Sequence, residues 1–516
     1  MTMLMYIMYS FSFRCTMDKI KDKVKNLIMP EGATPIPFSF CLVIFSTLLC
    51  CYMTFTMVFS YLPKMVKSFG ISEVDVGKNS GIIGAAFFVG RVLTCYPWGI
   101  AADKYGKKKV LLISIACLCV STLAFGFSQS VYWAVATRFM QGASSGIPVA
   151  GKGLMYGICD ATNQPFAATL FSACFEIGVM IAPSFAGLLV FPAEQWPQLV
   201  APDSLVSTFP SLLPNLVIVA LLLVCAVGIK FIIPGDKSAQ KSTAEICSNS
   251  DSKYGATCSK FKLTASGTHL NRKLSTEAKY DNLYLQILRN RDCLISCLLY
   301  TLQGIVLVGF EDIFPVWAAT IQIFNGLEFS PRQIGILYSI VVPILIPMTI
   351  LLIPKISKKL TAKQVVILSS LSCVIVIPLL ICTERLRNKY LSWPALVILT
   401  ISIRFWFTAN FAGFSVLINN SVTPDQLSSA HGLSMAISAF GRATAPLLFG
   451  NLYTWSMTNI EHFYSNALGF PFNQYLAFYS IGFICLLTAI LTAYFPDRLN
   501  EPRKDGTTDE NRSEEV

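Results

Sequence analysis

The chain contains twelve apolar segments of about 20 residues, each bounded by charged residues or by turn-forming clusters. A helix of this length crosses a hydrocarbon core roughly 30 Å thick, because each helical residue adds about 1.5 Å. Only 13% of the 516 residues are charged, whereas a soluble domain usually carries about 25% charged residues. The mean hydropathy is +0.58. The sequence therefore predicts an all-α membrane protein with twelve transmembrane helices.

We number the segments span one to span twelve in chain order. The predicted spans are residues 38–62, 80–101, 110–128, 131–156, 167–190 and 212–233, then 293–318, 334–353, 363–382, 393–419, 429–455 and 474–495. They form two six-helix bundles, at 38–233 and 291–495. Outside the bundles we expect an N-terminal segment at 1–37, a polar linker at 234–290 and a tail at 496–516, all three cytoplasmic.

Lysine and arginine are unevenly distributed over the connecting loops. The loops after spans two and eight and both chain ends carry basic clusters, whereas the loops on the opposite side carry few basic residues. Short loops rich in Lys and Arg stay in the cytoplasm, so both termini are predicted to be cytoplasmic, in a plasma membrane or in a vacuolar or lysosomal membrane. The net charge of +11 follows from this topology and does not indicate nucleic-acid binding.

The two halves of the chain repeat each other. Arg138 and Arg404 are 266 residues apart, Pro183 and Pro446 are 263 apart, and the ends of spans two and eight, at Gly99 and Pro354, are 255 apart. Parallel six-helix repeats place a solute site between the halves near the membrane midplane and alternate access by rocking one half against the other. The sequence predicts two pseudo-symmetric bundles that work in this way.

The turn after span two reads GIAADKYGKKK and carries Gly99, Asp103, Lys104, Gly106, Lys107 and Lys108. It resembles the signature loop between helices two and three of the major facilitator superfamily. The resemblance implies that family's fold and a latch that stabilises its outward-facing state. In such a latch Gly99 lets two helices approach closely, Asp103 caps the next element and attracts a basic partner, and the lysines hold the loop at the lipid surface. The simpler interpretation is a positive-inside anchor alone.

Span four carries Arg138, Gln141 and Gly142 in the sequence RFMQGASSG. This stretch resembles the arginine motif on helix four of proton-coupled members of the superfamily, and the resemblance implies a role for Arg138 in proton transfer. A charge within the membrane is costly and tends to face a cavity or a polar partner. The alternative is that Arg138 lies near a helix end and extends its charge to the interface.

Span five contains Gly178, Pro183 and Gly187, in a pattern similar to the glycine-proline motif of antiporters in the superfamily. Two of the usual glycines are alanines, which weakens the antiporter inference. Pro446 occupies the matching position in span eleven. Small residues and a proline predict a close, bendable contact between helices.

Six charged residues within the predicted spans are the candidates for a solute and ion path. They are Lys152, Glu176, Glu311, Asp312, Arg404 and Arg442. A protonatable carboxylate beside a cation provides for proton coupling, so we expect Glu176 to pair with Lys152 or Arg138; a satisfied structural pair is the alternative. Span one has no carboxylate, so the coupling acid must be one of the three carboxylates named.

Stretches around Tyr61, Glu311 and Arg442 look most like the zinc-induced-facilitator-like branch of the superfamily, near the drug:proton antiporters. The sequence contains no P-loop and no HExxH motif. We therefore predict no catalytic or metal-binding residues and no cofactor. The expected partners are a small organic solute, protons and the lipid bilayer.

Three hypotheses for function remain open on the sequence. The leading one is a secondary transporter, not an enzyme, that exchanges a small organic solute for protons by alternating access. A second is a facilitative or symport carrier of organic anions or sugars, favoured by the excess of cations Lys152, Arg404 and Arg442 over acids in the spans. The third is a non-transporting receptor or scaffold that signals through the linker and the tail.

Overall fold

The computed structural model describes residues 37–156, 164–201, 203–233, 289–386, 389–422, 427–463 and 468–501. Helices occupy all twelve predicted spans. They are Phe38–Thr56 with the 3₁₀ turn Met57–Ser60, Val76–Tyr105, Lys107–Gly126, Val131–Ala143 with Gly146–Tyr156, Gln164–Leu189 and Leu212–Ile232 in the first half, then Arg291–Ala319, Pro331–Ser357, Ala362–Ile381, Lys389–Ser421, Leu427–Phe463 and Leu476–Ala493. Residues 1–36 of the N-terminal segment, 234–288 of the predicted linker and 502–516 of the tail lie outside the described residues.

Local capping explains where several spans begin. Ser130 accepts a hydrogen bond from the backbone N–H of Trp133 at the start of span four. Ser330 with Gln333, and Thr361 with Gln364, form reciprocal capping boxes at the starts of spans eight and nine. Such caps satisfy N–H groups that have no partner in the first turn of a helix.

Nine helices within the described residues are long and apolar enough to cross a membrane by themselves. Spans four, five and eleven are not among them. Span four is divided after Ala143, the described apolar part of span five is Ile177–Leu189, and span eleven is rich in Ser, Thr and Asn. These three spans all pack inside or between the bundles, where small and polar residues are tolerated.

The division of span four is stabilised by its neighbours. The indole N–H of Trp98 donates to the Ala143 carbonyl at 2.7 Å, and the Ser114 hydroxyl donates to the Ser144 carbonyl at 2.8 Å. Both carbonyls lie at the break in the helix, where the regular backbone pattern leaves acceptors unsatisfied. Backbone irregularity at membrane depth requires such partners, because lipid offers none.

The two halves meet along two helix pairs, span two with span eleven and span five with span eight. The repeat relates span two to span eight and span five to span eleven, so the two pairs are equivalent. Within the first half, span one packs on spans five and six; within the second, span seven packs on spans ten, eleven and twelve. The prediction of two pseudo-symmetric six-helix bundles is confirmed.

The halves are in closest contact at the membrane side opposite the termini. We call this the far side and the other the termini side. At the far side Gly81 of span two packs directly on the backbone of Pro446, and a Cβ atom on Gly187 would lie 2.8 Å from the Cα of Gly335. Glycine at these positions lets the backbones of opposite halves touch, which closes the interface between the halves at the far side.

Candidate functional site

The signature loop joins span two to span three at Gly106, whose φ of 96° is strained for any other residue. Lys107 donates to the Gly153 carbonyl and Lys108 to the Lys230 carbonyl, each at 2.9 Å. The Lys104 ammonium lies 5.3 Å from the ring centre of Tyr105. Lys107 and Lys108 therefore hold the ends of spans four and six rather than extending to the lipid surface as expected.

The signature loop does not form an inter-helical contact at Gly99. A methyl group there would meet no atom within 4 Å, so the expected close approach of two helices does not hold in this conformation. The glycine backbone contacts between the halves lie at the far side, at Gly81 and Gly187, away from Gly99. The side chain of Asp103 lies outside the described residues.

Arg138 is fully buried in the first half. Its guanidinium donates to the carbonyls of Thr54 at 3.3 Å and Phe55 at 3.1 Å, and to the Gln141 side chain at 2.9 Å. These carbonyls stand where span one tightens into its 3₁₀ turn. Arg138 thus links span four to the end of span one through hydrogen bonds. Because its side chain is fully buried, the alternative that Arg138 extends its charge to the membrane–water interface does not hold.

Gly142 and Gly90 allow spans two and four to touch backbone to backbone. A Cβ atom on Gly142 would lie 3.0 Å from the Cα of Phe87 and closer still to its carbonyl. On the facing side a Cβ atom on Gly90 would lie 2.9 Å from the Ala143 backbone nitrogen. Gly90 was not identified from the sequence, although a small residue inside an apolar span is typical of a contact between helices.

The glycine-proline motif has two roles in packing. Gly178 faces span one, where a Cβ atom would lie 2.9 Å from the Tyr52 Cβ. Gly187 faces span eight of the other half, and Pro183 lies between the two glycines inside the helix. The motif therefore joins span five to its own bundle at one end and to the opposite bundle at the other.

Glu311 of span seven and Arg404 of span ten form a buried ion pair in the second half. Nη2 of Arg404 donates to Oε2 of Glu311 at 2.9 Å, and a second contact joins Nη1 and Oε1. The guanidinium carbon of Arg404 lies 4.8 Å from the ring centre of Tyr338 in span eight. The pair and the ring link three helices of the second bundle.

Asp312 is also buried, with 1% of its surface exposed. Neither of its carboxyl oxygens has a hydrogen-bond partner among the described residues. It lies three residues after Gly309, which packs on the Phe449 ring of span eleven, so Asp312 occupies the face of span seven that turns towards span eleven. Asp312 is therefore a buried carboxyl group with no hydrogen-bond partner among the described residues.

Lys152 and Arg442 lie at the interface between the halves. Nζ of Lys152 contacts Sδ of Met435 in span eleven at 2.9 Å, and Cζ of Arg442 lies 5.2 Å from the ring centre of Phe175 in span five. Arg442 and Arg91 both lie close enough to Lys152 for their positive charges to repel its ammonium group. Arg91 was missed in the sequence, although an arginine near the middle of span two was a sufficient signal.

The expected pairing of Glu176 with Lys152 or Arg138 falls on a side chain outside the described residues. Arg138 is hydrogen-bonded to carbonyl and amide oxygens. Among the described side chains, no carboxylate forms an ion pair with Lys152, Arg91 or Arg442. The structure thus brings Arg404 together with Glu311, and Lys152 together with Arg442, but leaves these two groups in different parts of the molecule.

The sequence model of the Major Facilitator Superfamily matches residues 44–446 and 301–514. The chain belongs to the Major Facilitator Superfamily. It is therefore an integral, multi-pass membrane transporter of a family whose members bind small-molecule substrates within the membrane and are typically not enzymes.

Individual relatives agree with this assignment. The protein ZINC INDUCED FACILITATOR-LIKE 1 of Arabidopsis thaliana is 27% identical over 466 residues, which cover 88% of this chain and 91% of that protein. The efflux pump azaK of Aspergillus niger is 26% identical over 483 residues, covering 89% and 90%. The predicted resemblance to the zinc-induced-facilitator-like branch of the superfamily is confirmed.

Solved structures of the superfamily show the same fold. The crystal structure of a D-xylose-proton symporter superposes with a TM-score of 0.63 at 14% identity, covering 90% of this chain and 99% of that one. At this identity the likeness concerns the fold alone.

Proposed function

We propose that this superfamily member is a proton-coupled secondary transporter that exchanges a small organic solute for protons by alternating access. The observation that carries the proposal is Asp312, a buried carboxyl group without a partner among the described residues. An ionised carboxylate in such a site has no described cation or hydrogen-bond donor to stabilise it, and an unpaired charge in the membrane costs several kcal/mol. Asp312 is therefore protonated here and releases its proton when water reaches it.

The contacts between the halves support the alternating part of the proposal. The helix pairs two–eleven and five–eight touch through glycine backbones at the far side, and the facing surface at Gly99 on the termini side is open. A rocking motion about the midplane would separate Gly187 from Gly335 and close the surface at Gly99. Asp312 lies on a helix that contacts both span two and span eleven, so this motion changes its surroundings.

Glu311 and Arg404 would hold spans seven and ten together next to the proposed proton site at Asp312. Each of these two side chains is engaged by the other, whereas the adjacent Asp312 carboxyl group has no partner among the described residues. The sequence-based proposal that Arg138 and Glu176 transfer protons remains a prediction. The hydrogen bonds of Arg138 to span-one carbonyls favour a structural role for it.

The test is uptake into proteoliposomes driven by an imposed pH gradient, across a panel of organic cations, organic anions and sugars. Asp312→Asn is expected to lose accumulation against a gradient while it retains exchange of solute down its gradient. The matched control is Asp497→Asn, which removes an exposed carboxylate paired with Lys363. Accumulation that is unchanged in Asp312→Asn, or that needs no pH gradient in wild type, would contradict the proposal.

A non-transporting receptor or scaffold is separated from a transporter by deleting residues 234–288. The bundles contact each other through their own helices, so a transporter should retain flux after this deletion. A scaffold that signals through the linker should lose its output.

The orientation of the chain is part of the same proposal. Both termini are proposed to face the cytoplasm, in a plasma membrane or a vacuolar or lysosomal membrane, because the basic loops lie on the termini side. Protease protection of terminal epitope tags in sealed vesicles tests this orientation.

A further inference from the structure

Three cations from three different helices lie at the interface between the halves. They are Arg91 of span two, Lys152 of span four and Arg442 of span eleven, and each is half-buried. We propose that they bind the anionic group of the solute, and that the substrate class is a small organic anion with a carboxylate or phosphate group on an apolar body. This inference rests on the proposed transport function and names its substrate.

Among the described residues, the three cations lack the carboxylate partners that cations withdrawn from water normally have; Arg91 is hydrogen-bonded to the Cys95 thiol instead. None of them forms an ion pair with a described carboxylate. The nearest partner of the Lys152 ammonium is the thioether of Met435, which is a weak acceptor. Nε of Arg442 is buried with no acceptor among the described residues. Charges withdrawn from water are normally paired, so the anionic group of a solute would supply the partner that these cations lack among the described residues.

The like charges also repel one another. Arg91 and Arg442 lie close enough to Lys152 for their positive charges to repel its ammonium group. At an effective dielectric constant near 20, two such charges interact several times more strongly than in water. An oxyanion between them would turn this repulsion into attraction, and the planar guanidinium of Arg442 can hold it through two parallel N–H bonds.

Aromatic rings beside Arg442 provide a surface for the apolar part of the solute. Phe175 of span five and Phe411 of span ten have parallel rings with centres 6.3 Å apart, and Arg442 Cζ lies 5.2 and 5.9 Å from these centres. Tyr52 meets Phe175 at 5.2 Å, and Tyr300 meets Phe411 at 4.8 Å. The four rings come from both halves, so a solute against them contacts both sides of the moving interface.

Span seven positions the arginine. A Cβ atom on Gly304 would lie 3.1 Å from Nε of Arg442 and 2.8 Å from the hydroxyl of Ser438. The absence of a side chain at Gly304 thus lets the Arg442 side chain lie across span seven. Gly304→Ala would displace Arg442 while retaining all three charges.

The experiment measures binding without any gradient, by calorimetry on the purified full-length protein in lipid nanodiscs. The probes are benzoate and phenyl phosphate, with benzyltrimethylammonium as the cation of similar size and benzyl alcohol as the neutral one. We expect an anion to bind, with an affinity at least about tenfold weaker in Arg442→Gln, because a hydrogen-bonded charge pair is lost. Lys78→Gln is the matched control, since Lys78 is an exposed cation on the same helix as Arg91.

If Arg442→Gln does not fold, Gly304→Ala tests the same site, because it displaces the Arg442 side chain without removing its charge. It should weaken anion binding while the protein remains monodisperse in size-exclusion chromatography. The relative affinities of benzoate and phenyl phosphate then identify the oxyanion. The proposal is overturned by binding of neither anion, by an anion affinity equal in wild type and in both variants, or by preferential binding of benzyltrimethylammonium.

Failure of this inference and failure of proton-coupled transport are distinguishable. Gradient-driven flux of an organic cation would support transport and reject the anion site. Anion binding that depends on Arg442, with no flux under any gradient, would support the site and reject transport.

Discussion

Arg404 of span ten and Glu311 of span seven are joined at two points, with Nη2 donating to Oε2 at 2.9 Å and Nη1 contacting Oε1. Both side chains are at least 95% buried, with 3% and 1% of their surfaces exposed. Removing one member of such a pair leaves the other charged and unsolvated, whereas replacing both leaves only apolar packing to adjust.

Glu311→Gln is therefore expected to destabilise the protein by about 3–5 kcal/mol, and the double variant Glu311→Leu with Arg404→Met to recover most of this loss. Thermal unfolding of the purified protein measures both. The control is Asp497→Asn, which removes the exposed carboxylate that pairs with Lys363 and should cost at most about 1 kcal/mol. A double variant no more stable than the single one would show that the pair is not the source of the effect.

Arg138 is expected to hold the end of span one in place. Arg138→Lys retains the charge but replaces two donor nitrogens, bonded to the Thr54 and Phe55 carbonyls, with one. We expect a loss of about 1–3 kcal/mol and faster hydrogen exchange in the 3₁₀ turn Met57–Ser60. Arg332→Lys, at an exposed arginine, is the control. Unchanged exchange in this turn would argue against the structural role.

Gly142→Ala is expected to destabilise the contact between spans two and four. The added methyl group has no room against the Phe87 backbone, and overpacking typically costs about 1–3 kcal/mol. Gly482→Ala is the matched control, because a methyl group in span twelve meets nothing within 4 Å and should stabilise the helix by roughly 1 kcal/mol. Thermal midpoints that fall equally for the two variants would contradict this prediction.

The far side is expected to open more often in Glu73→Gln. Lys67 donates to Glu73 and to the Ala319 carbonyl, each at 2.8 Å, and Glu73 accepts from the Ile321 backbone at 3.3 Å. This network joins the loop after span one to the loop after span seven, across the two halves. Its loss should shift the balance of conformations by about 1 kcal/mol, or roughly fivefold.

Distances between unnatural amino-acid spin labels at Ser72 and Ile323, which are exposed on these two loops, measure the shift. Glu194→Gln is the control, since the Lys64–Glu194 pair that it breaks lies within the first half. A longer-distance population of the same size in both variants would rule out a gating role for Glu73.

The sequence determined the spans and the repeat, because insertion into a membrane depends on the apolarity of each 20-residue stretch, roughly independently of its partners. It also showed the signature loop at Gly106 and the charges Glu311, Asp312 and Arg404. It did not show that Arg404 pairs with Glu311 while Asp312 has no described partner.

Only the tertiary structure decided which polar groups meet. It placed Arg91 with Lys152 and Arg442, gave Arg138 carbonyl partners in span one, and set Gly81 and Gly335 against Pro446 and Gly187. In a soluble helix the apolar stripe marks the inward face, but in a membrane the lipid-facing and core-facing surfaces are equally apolar. The rotation of each span about its own axis is therefore fixed by packing against its neighbours. The apolar pattern of a single sequence does not predict which face of a span is directed inward.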